Sequence, residues 1–210
     1  MLSQSVASAL REAISAGEFQ PGERLSEVKA AERFNCSRNT LRESFTRLAA
    51  ERIVERIPNR GVFLAMPDAD YIRDLFAARA AIEPAAVRWG AFADAPSLVT
   101  LTSSAFDYAA RGEHQEVSAI NQRFHRTLVA ALGSPTLNEQ MDNLLARMRL
   151  TFLLAIPRYP QLHADHIQGN ITLATLIADG KRDKAATLAH DSLMNTCEKI
   201  LAVLDDELDG

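Results

Sequence analysis

Two runs of helical character, EVKAAERF and SRNTLRESFTRL, are joined by only Asn35 and Cys36, and no other feature of the chain restricts its fold as tightly. Ser26 stands where it can cap the first helix, and Ser37 can accept a hydrogen bond from the first free amides of the second. Projected at about 100° per residue, Leu41, Phe45 and Leu48 fall together and must be core, while Asn39, Arg42, Glu43 and Thr46 take the opposite arc and Arg38 its N-terminal edge. A short helix, a tight turn and a second helix with a polar N-terminal face make a helix-turn-helix. Ahead of it, Val6, Leu10 and Ile14 mark an amphipathic first helix that ends in GEFQPG. After it, two β-like runs, Ile53 to Ile57 and Val62 to Ala65, flank PNRG and predict a hairpin wing.

Charge follows the same division. The chain has a formal net charge of -4, yet residues 33 to 60 hold seven arginines against three glutamates, a local +4. Residues 67 to 210 hold thirteen Lys or Arg against nineteen Asp or Glu, a local -6. Global acidity excludes a general polyanion binder, and the asymmetry implies a module that faces nucleic acid joined to a body that does not. A helix placed like the second one enters the major groove, where an arginine can grip guanine O6 and N7 with two parallel donors. Arg47, Arg52 and Arg56 alternate with Glu43, Glu51 and Glu55 and read equally well as a solvated, salt-laced face, with Glu43 orienting a neighbouring arginine.

MPDAD breaks the pattern, and from Tyr71 onward every segment reads as helix. Ile72, Leu75, Phe76, Arg79, Ile82 and Ala86 keep the helical period, and further helices are expected at about 97–111, 114–132, 136–155, 160–179 and 181–206. Short links such as RGEH, GSP and DGK imply antiparallel neighbours. The expected fold is therefore mainly α: a winged helix-turn-helix at 1–66, a linker and hinge at 67–70, and an antiparallel six- or seven-helix bundle at 71–210. No apolar run is long enough for a membrane span, the N-terminus carries no signal-like pattern, and two distant cysteines, Cys36 and Cys197, suggest neither a disulfide nor a zinc staple. A cytoplasmic protein without a membrane partner is expected.

The ordered set PGERLSE, SRNTLRES, RLAAERIVERI and PNRG, followed by RAAIEPAA from Arg79 to Ala86, resembles the GntR family of transcriptional regulators, in particular its FadR-type branch with an all-helical FCD effector domain. The resemblance covers nearly the whole chain. It implies a homodimer that binds double-stranded operator DNA, with Arg38, Asn39, Thr40 and Arg42 on the recognition helix and Asn59, Arg60 and Gly61 at the wing tip as the contacts. Two positions depart from the family pattern. Arg52 stands where glycine is usual at the helix C-terminus, and Asn39-Thr40 replaces the commoner Thr-Pro.

The resemblance also implies a divalent metal held in the bundle by one Asp and three His. Here Asn121 stands for the Asp, His125 matches, and Asn170 and Ser192 replace the last two histidines. Neutral amides and a hydroxyl are much weaker donors than a carboxylate and imidazoles. The expectation is a metal-free pocket in which Asn121, His125, Asn170 and Ser192 hold a small organic effector directly, with Arg79 and Arg147 as partners for an effector carboxylate. Arg79 equally suits Glu83 one turn away. A divalent ion such as zinc, held through His125 and His166, is the alternative, and His163 and His166 in HADH also read as a surface pair. No catalytic residues and no enzymatic activity are expected. A helical-bundle enzyme using His125, His163 or His166 and an effector-independent architectural DNA binder stay open as alternatives, and repression is the expected mode of action.

Overall fold

A computed structural model describes residues 2–205. Contacts divide the chain into two units: the first runs to Asp68 and includes Leu145–Leu154, and the second holds Ala69–Leu144 and the chain from Ala155 onward.

The first unit follows the order α1 (Leu2–Ser15), β1 (Arg24–Leu25), α2 (Glu27–Arg33), α3 (Arg38–Ala50), β2 (Val54–Ile57) and β3 (Gly61–Leu64). Leu10 and Ile14 of α1 are fully buried, as are Leu41, Phe45 and Leu48 of α3, so the stripe that the helical period predicts is the face that meets the core. Both predicted caps form. Ser37 accepts from the Thr40 amide at 3.1 Å, and Ser26 accepts from the Lys29 amide at a longer 3.4 Å. The guanidinium of Arg11 grips both carboxylate oxygens of Glu51, at 2.7 Å from Nη2 to each, and ties α1 to the C-terminal end of α3. Glu51 therefore belongs to a bridge within the unit rather than to a solvated charge ladder.

The hairpin gains a third strand that periodicity does not reveal. The sheet order is β1-β3-β2, with Arg24 opposite Phe63 and Leu25 opposite Val62. Two residues in a turn-rich segment carry no alternation to detect. At the end of α3, Ile53 N–H bonds to Leu48 C=O and Arg52 N–H to Ala49 C=O, the paired bonds that close a helix around a left-handed residue. That residue is Arg52, at φ 59. Because a Cβ there meets the following carbonyl, Arg52→Gly is expected to stabilise the unit by roughly 0.5 to 1 kcal/mol. Urea melts of the two proteins would check it, and an unchanged or lower midpoint would contradict it.

The second unit contains α4 (Ala69–Trp89), α5 (Ala95–Ser103), α6 (Ala105–Ala110), α7 (His114–Ala130), α9 (Leu162–Ala178) and α10 (Arg182–Asp205). Helix α8 (Pro135–Ala155) crosses the division between the units. Helix α4 packs along α10, α5 along α9, and α7 against α4, α6 and α9. Val87, Leu98, Phe124, Leu128 and Ile177 form the main apolar cluster between these elements. The helix expected at 97–111 is divided at Ser104 into α5 and α6. Thr102 and Ser104 turn their hydroxyls back onto Leu98 C=O and Leu101 C=O, at 2.9 and 2.7 Å, a local competition that bends helices. No described helix is long and apolar enough to cross a membrane.

Candidate nucleic-acid interface and effector site

Helix α3 presents Arg38, Asn39 and Arg42 on its exposed face, close to the amides that Ser37 only partly satisfies. Arg38 has no ion-pair partner among the described residues. Arg42 donates from Nε to Glu27 Oε2 at 3.0 Å, while its carbonyl accepts from Arg56 Nη2 at 2.9 Å. The pair with Glu27 is solvent-exposed and weak in itself, but it directs the guanidinium from a neighbouring helix. Asn39 donates to Glu43 at 3.2 Å, so Glu43 engages the asparagine instead of an arginine. Thr40 is half-buried, and its hydroxyl lies 2.8 Å from Ser37 Oγ. Its side chain thus supports the cap.

At the wing tip, Arg60 N–H bonds to Ile57 C=O at 3.0 Å and closes the turn. Asn59 is left-handed at φ 59 and Gly61 lies at φ 115, a conformation that a side chain would strain. Asn59 and Arg60 are exposed, with the Arg60 guanidinium over the Phe63 ring at 5.8 Å. The first unit thus carries two exposed polar reading elements on one buried frame.

In the second unit a charged network lies between α4 and α7. Arg79 donates from Nε to Glu83 Oε1 at 2.6 Å, and His125 Nδ1 lies 2.7 Å from Glu83 Oε2. Arg79 and Glu83 are 2% and 1% exposed. Burial pushes the Glu83 carboxyl upward, but the Arg79 charge and the His125 contact outweigh it and hold the pKa at about 2. Between α7 and α9, Asn170 Nδ2 donates to Asn121 Oδ1 at 2.7 Å. The structure therefore brings Arg79, His125, Asn121 and Asn170 onto the facing helices of one unit.

The other expected pocket residues lie elsewhere. Ser192 is exposed on α10, whose buried side is formed by Ala189 and Leu193. Arg147 is buried on the part of α8 that belongs to the first unit. His166 is half-buried, and the His163 side chain falls outside the described residues. Three residues escaped sequence reading: Glu83 as the centre of the network, and Ser118 and Gln122, both buried on α7. Ser118, Asn121, Gln122 and His125 follow helical spacing, so a polar stripe was there to be projected.

A metal ion does not fit this donor set. Asn121 and Asn170 are engaged with each other, His125 presents Nδ1 to Glu83, and Ser192 faces solvent. Among the described residues no three His, Cys, Asp or Glu side chains converge.

Comparison with known proteins agrees with both units. Residues 2–64 match the model for bacterial regulatory proteins of the gntR family, and residues 74–195 match the FCD domain. The chain is 26% identical over 189 residues to the Nta operon transcriptional regulator of Aminobacter aminovorans, covering 89% of this chain and 88% of the relative. It is 29% identical over 197 residues to the HTH-type transcriptional repressor GlaR of Escherichia coli strain K12, covering 86% and 88%. A crystal structure of a putative GntR transcriptional regulator from Rhodococcus sp. RHA1 superposes with a TM-score of 0.81 at 29% identity, over 95% of this chain and 97% of that one. With a helix-turn-helix and wing in the first unit and an all-helical second unit, the chain belongs to the GntR family of transcriptional regulators, proteins that bind operator DNA and are not enzymes, and it carries an FCD effector domain.

Proposed function

We propose that the protein is a cytoplasmic, homodimeric repressor whose operator affinity is set by a small organic effector bound directly, without a metal, in the helical unit. The observation that carries the DNA half is the exposed pair Arg38 and Arg42 on a capped helix whose opposite face is fully buried. Each guanidinium can address a base edge, and the wing residues Asn59, Arg60 and Gly61 lie ready for the adjacent backbone. Two copies would read a near-palindrome with half-sites about one helical turn apart, roughly 34–36 Å, or a multiple of that. Selection of binding sites from random duplex DNA by the purified full chain, followed by footprinting, tests this. Recovery of unrelated sequences without two-fold symmetry would defeat it.

For the effector half, support comes from the buried polar groups Asn121, His125 and Asn170 on facing helices. Buried polar groups require partners, and a ligand can supply them. Only a difference in effector affinity between the DNA-competent arrangement and its alternative can move the equilibrium, and about 1–3 kcal/mol is the usual coupling. Asn121→Leu and Asn170→Leu are expected to blunt effector-dependent release while leaving operator binding within about twofold of the parent, since neither residue lies in the DNA-reading unit. Normal effector titration in both variants would relocate the pocket.

A further inference from the structure

We infer that the effector is an uncharged molecule rich in hydroxyl or primary-amide groups rather than a carboxylate. The inference rests on the direct-binding reading above and deepens it by asking what the groups left available can recognise.

The full charges come first. Arg79, the cation on which an effector carboxylate would depend, is committed at 2.6 Å to Glu83 on its own helix, and both are sealed from solvent. Their charges cancel, and an incoming carboxylate would approach a buried carboxylate along with the arginine. No positive charge remains in surplus in this network unless His125 binds a second proton.

The neutral groups then set the pattern. The Glu83 carboxylate accepts from His125 Nδ1, which places the proton there and leaves Nε2 of the neutral ring as a hydrogen-bond acceptor. Asn121 and Asn170 share one hydrogen bond. Whichever way both amides are turned, that bond consumes one carbonyl and one N–H, so the pair keeps one carbonyl acceptor and one amide donor group. The site therefore offers two acceptors and one donor group. An ionised carboxylate can only accept, and would leave both acceptors unmatched. A hydroxyl or a primary amide both donates and accepts, and satisfies all three. Ser118 and Gln122, buried beside them on α7, extend the same neutral, hydrogen-bonding character.

The test uses matched probes on the full chain: D-glucitol against D-gluconate, and succinamide against succinate. Binding is followed through the side-chain amide signals of Asn121 and Asn170 by NMR, assigned with the two leucine variants, and operator affinity is measured in the same samples. The neutral member of at least one pair should shift both amide signals and bind about tenfold more tightly than its acid, because a site built from directional hydrogen bonds rejects a ligand that leaves them unpaired. Equal or tighter binding by the acids overturns the inference, and so does failure of every neutral probe to move the two amides. Acids that bind and change operator affinity would remove the chemical class but leave an effector-controlled regulator. Neutral probes that bind without changing operator affinity would do the reverse.

Discussion

Arg38→Ala is expected to erase most of the preference for operator over scrambled DNA. Arg38 is the first residue of α3, exposed and without an ion-pair partner among the described residues, so its guanidinium gives up little on meeting a base. A bidentate arginine contributes roughly 1 to 3 kcal/mol of discrimination, and a dimer uses it twice, for roughly 2 to 6 kcal/mol, or at least about 30-fold. Arg42→Ala should act in the same direction. Because Glu27 holds Arg42 at 3.0 Å, Glu27→Gln should give a smaller version of that loss. Arg60→Ala provides the contrast: a wing arginine on the backbone should weaken all duplexes alike and lower the salt slope by about one per subunit. Competition binding against scrambled duplex at several salt concentrations separates these outcomes. Unchanged operator preference in Arg38→Ala and Arg42→Ala would remove both from the reading face.

The second large effect concerns Glu83. Glu83→Gln leaves Arg79 buried without its counter-charge, and breaking such a pair from one side costs about 3 to 5 kcal/mol. At about 2–4 °C per kcal/mol in a chain of this size, thermal unfolding of the helical unit should drop by roughly 10 °C. Replacing both partners, Arg79→Met with Glu83→Leu, should recover much of the loss, since the desolvation penalty of both ions disappears as well. The acid limb gives an independent check. The folded pKa is depressed from 4.5 to about 2, so the contribution is complete above pH 4.5 and fades as pH falls toward 2. Its full size is about 3 kcal/mol, and it should be missing from the acid profile of Glu83→Gln. A variant as stable as the parent at pH 7, with the same acid profile, would mean the network contributes nothing.

Legibility differed between the two units for physical reasons. Helix α3 was readable because its cap, its apolar stripe and its polar arc agree, and local signals that agree leave one solution. Strand β1 was not, since its pairing with Phe63 and Val62 is decided by residues nearly forty positions away. In the helical unit, Arg79 and Glu83 are visible as a pair one turn apart, but the second oxygen of Glu83 binds His125 at a separation of 42 residues, which no local pattern encodes. Asn121 and Asn170 were placed together by motif comparison and do meet. The same comparison put Ser192 with them, yet the rotation of α10 leaves it in solvent.

The sheet order β1-β3-β2 has a consequence for how the DNA-reading unit comes apart. The first strand precedes the helix-turn-helix and the other two follow it, so the central strand is held from both sides only after α2 and α3 have formed between them. Such non-local closure slows assembly and joins hairpin and helices into one cooperative block. Fraying of the hairpin from β1 would loosen the segment that leads into α2. Native-state hydrogen exchange should therefore show the amides of β3 and α3 opening together in a single large event, which leaves rigid displacement of a whole reading head, rather than melting of its wing, as the way such a protein lets go of DNA.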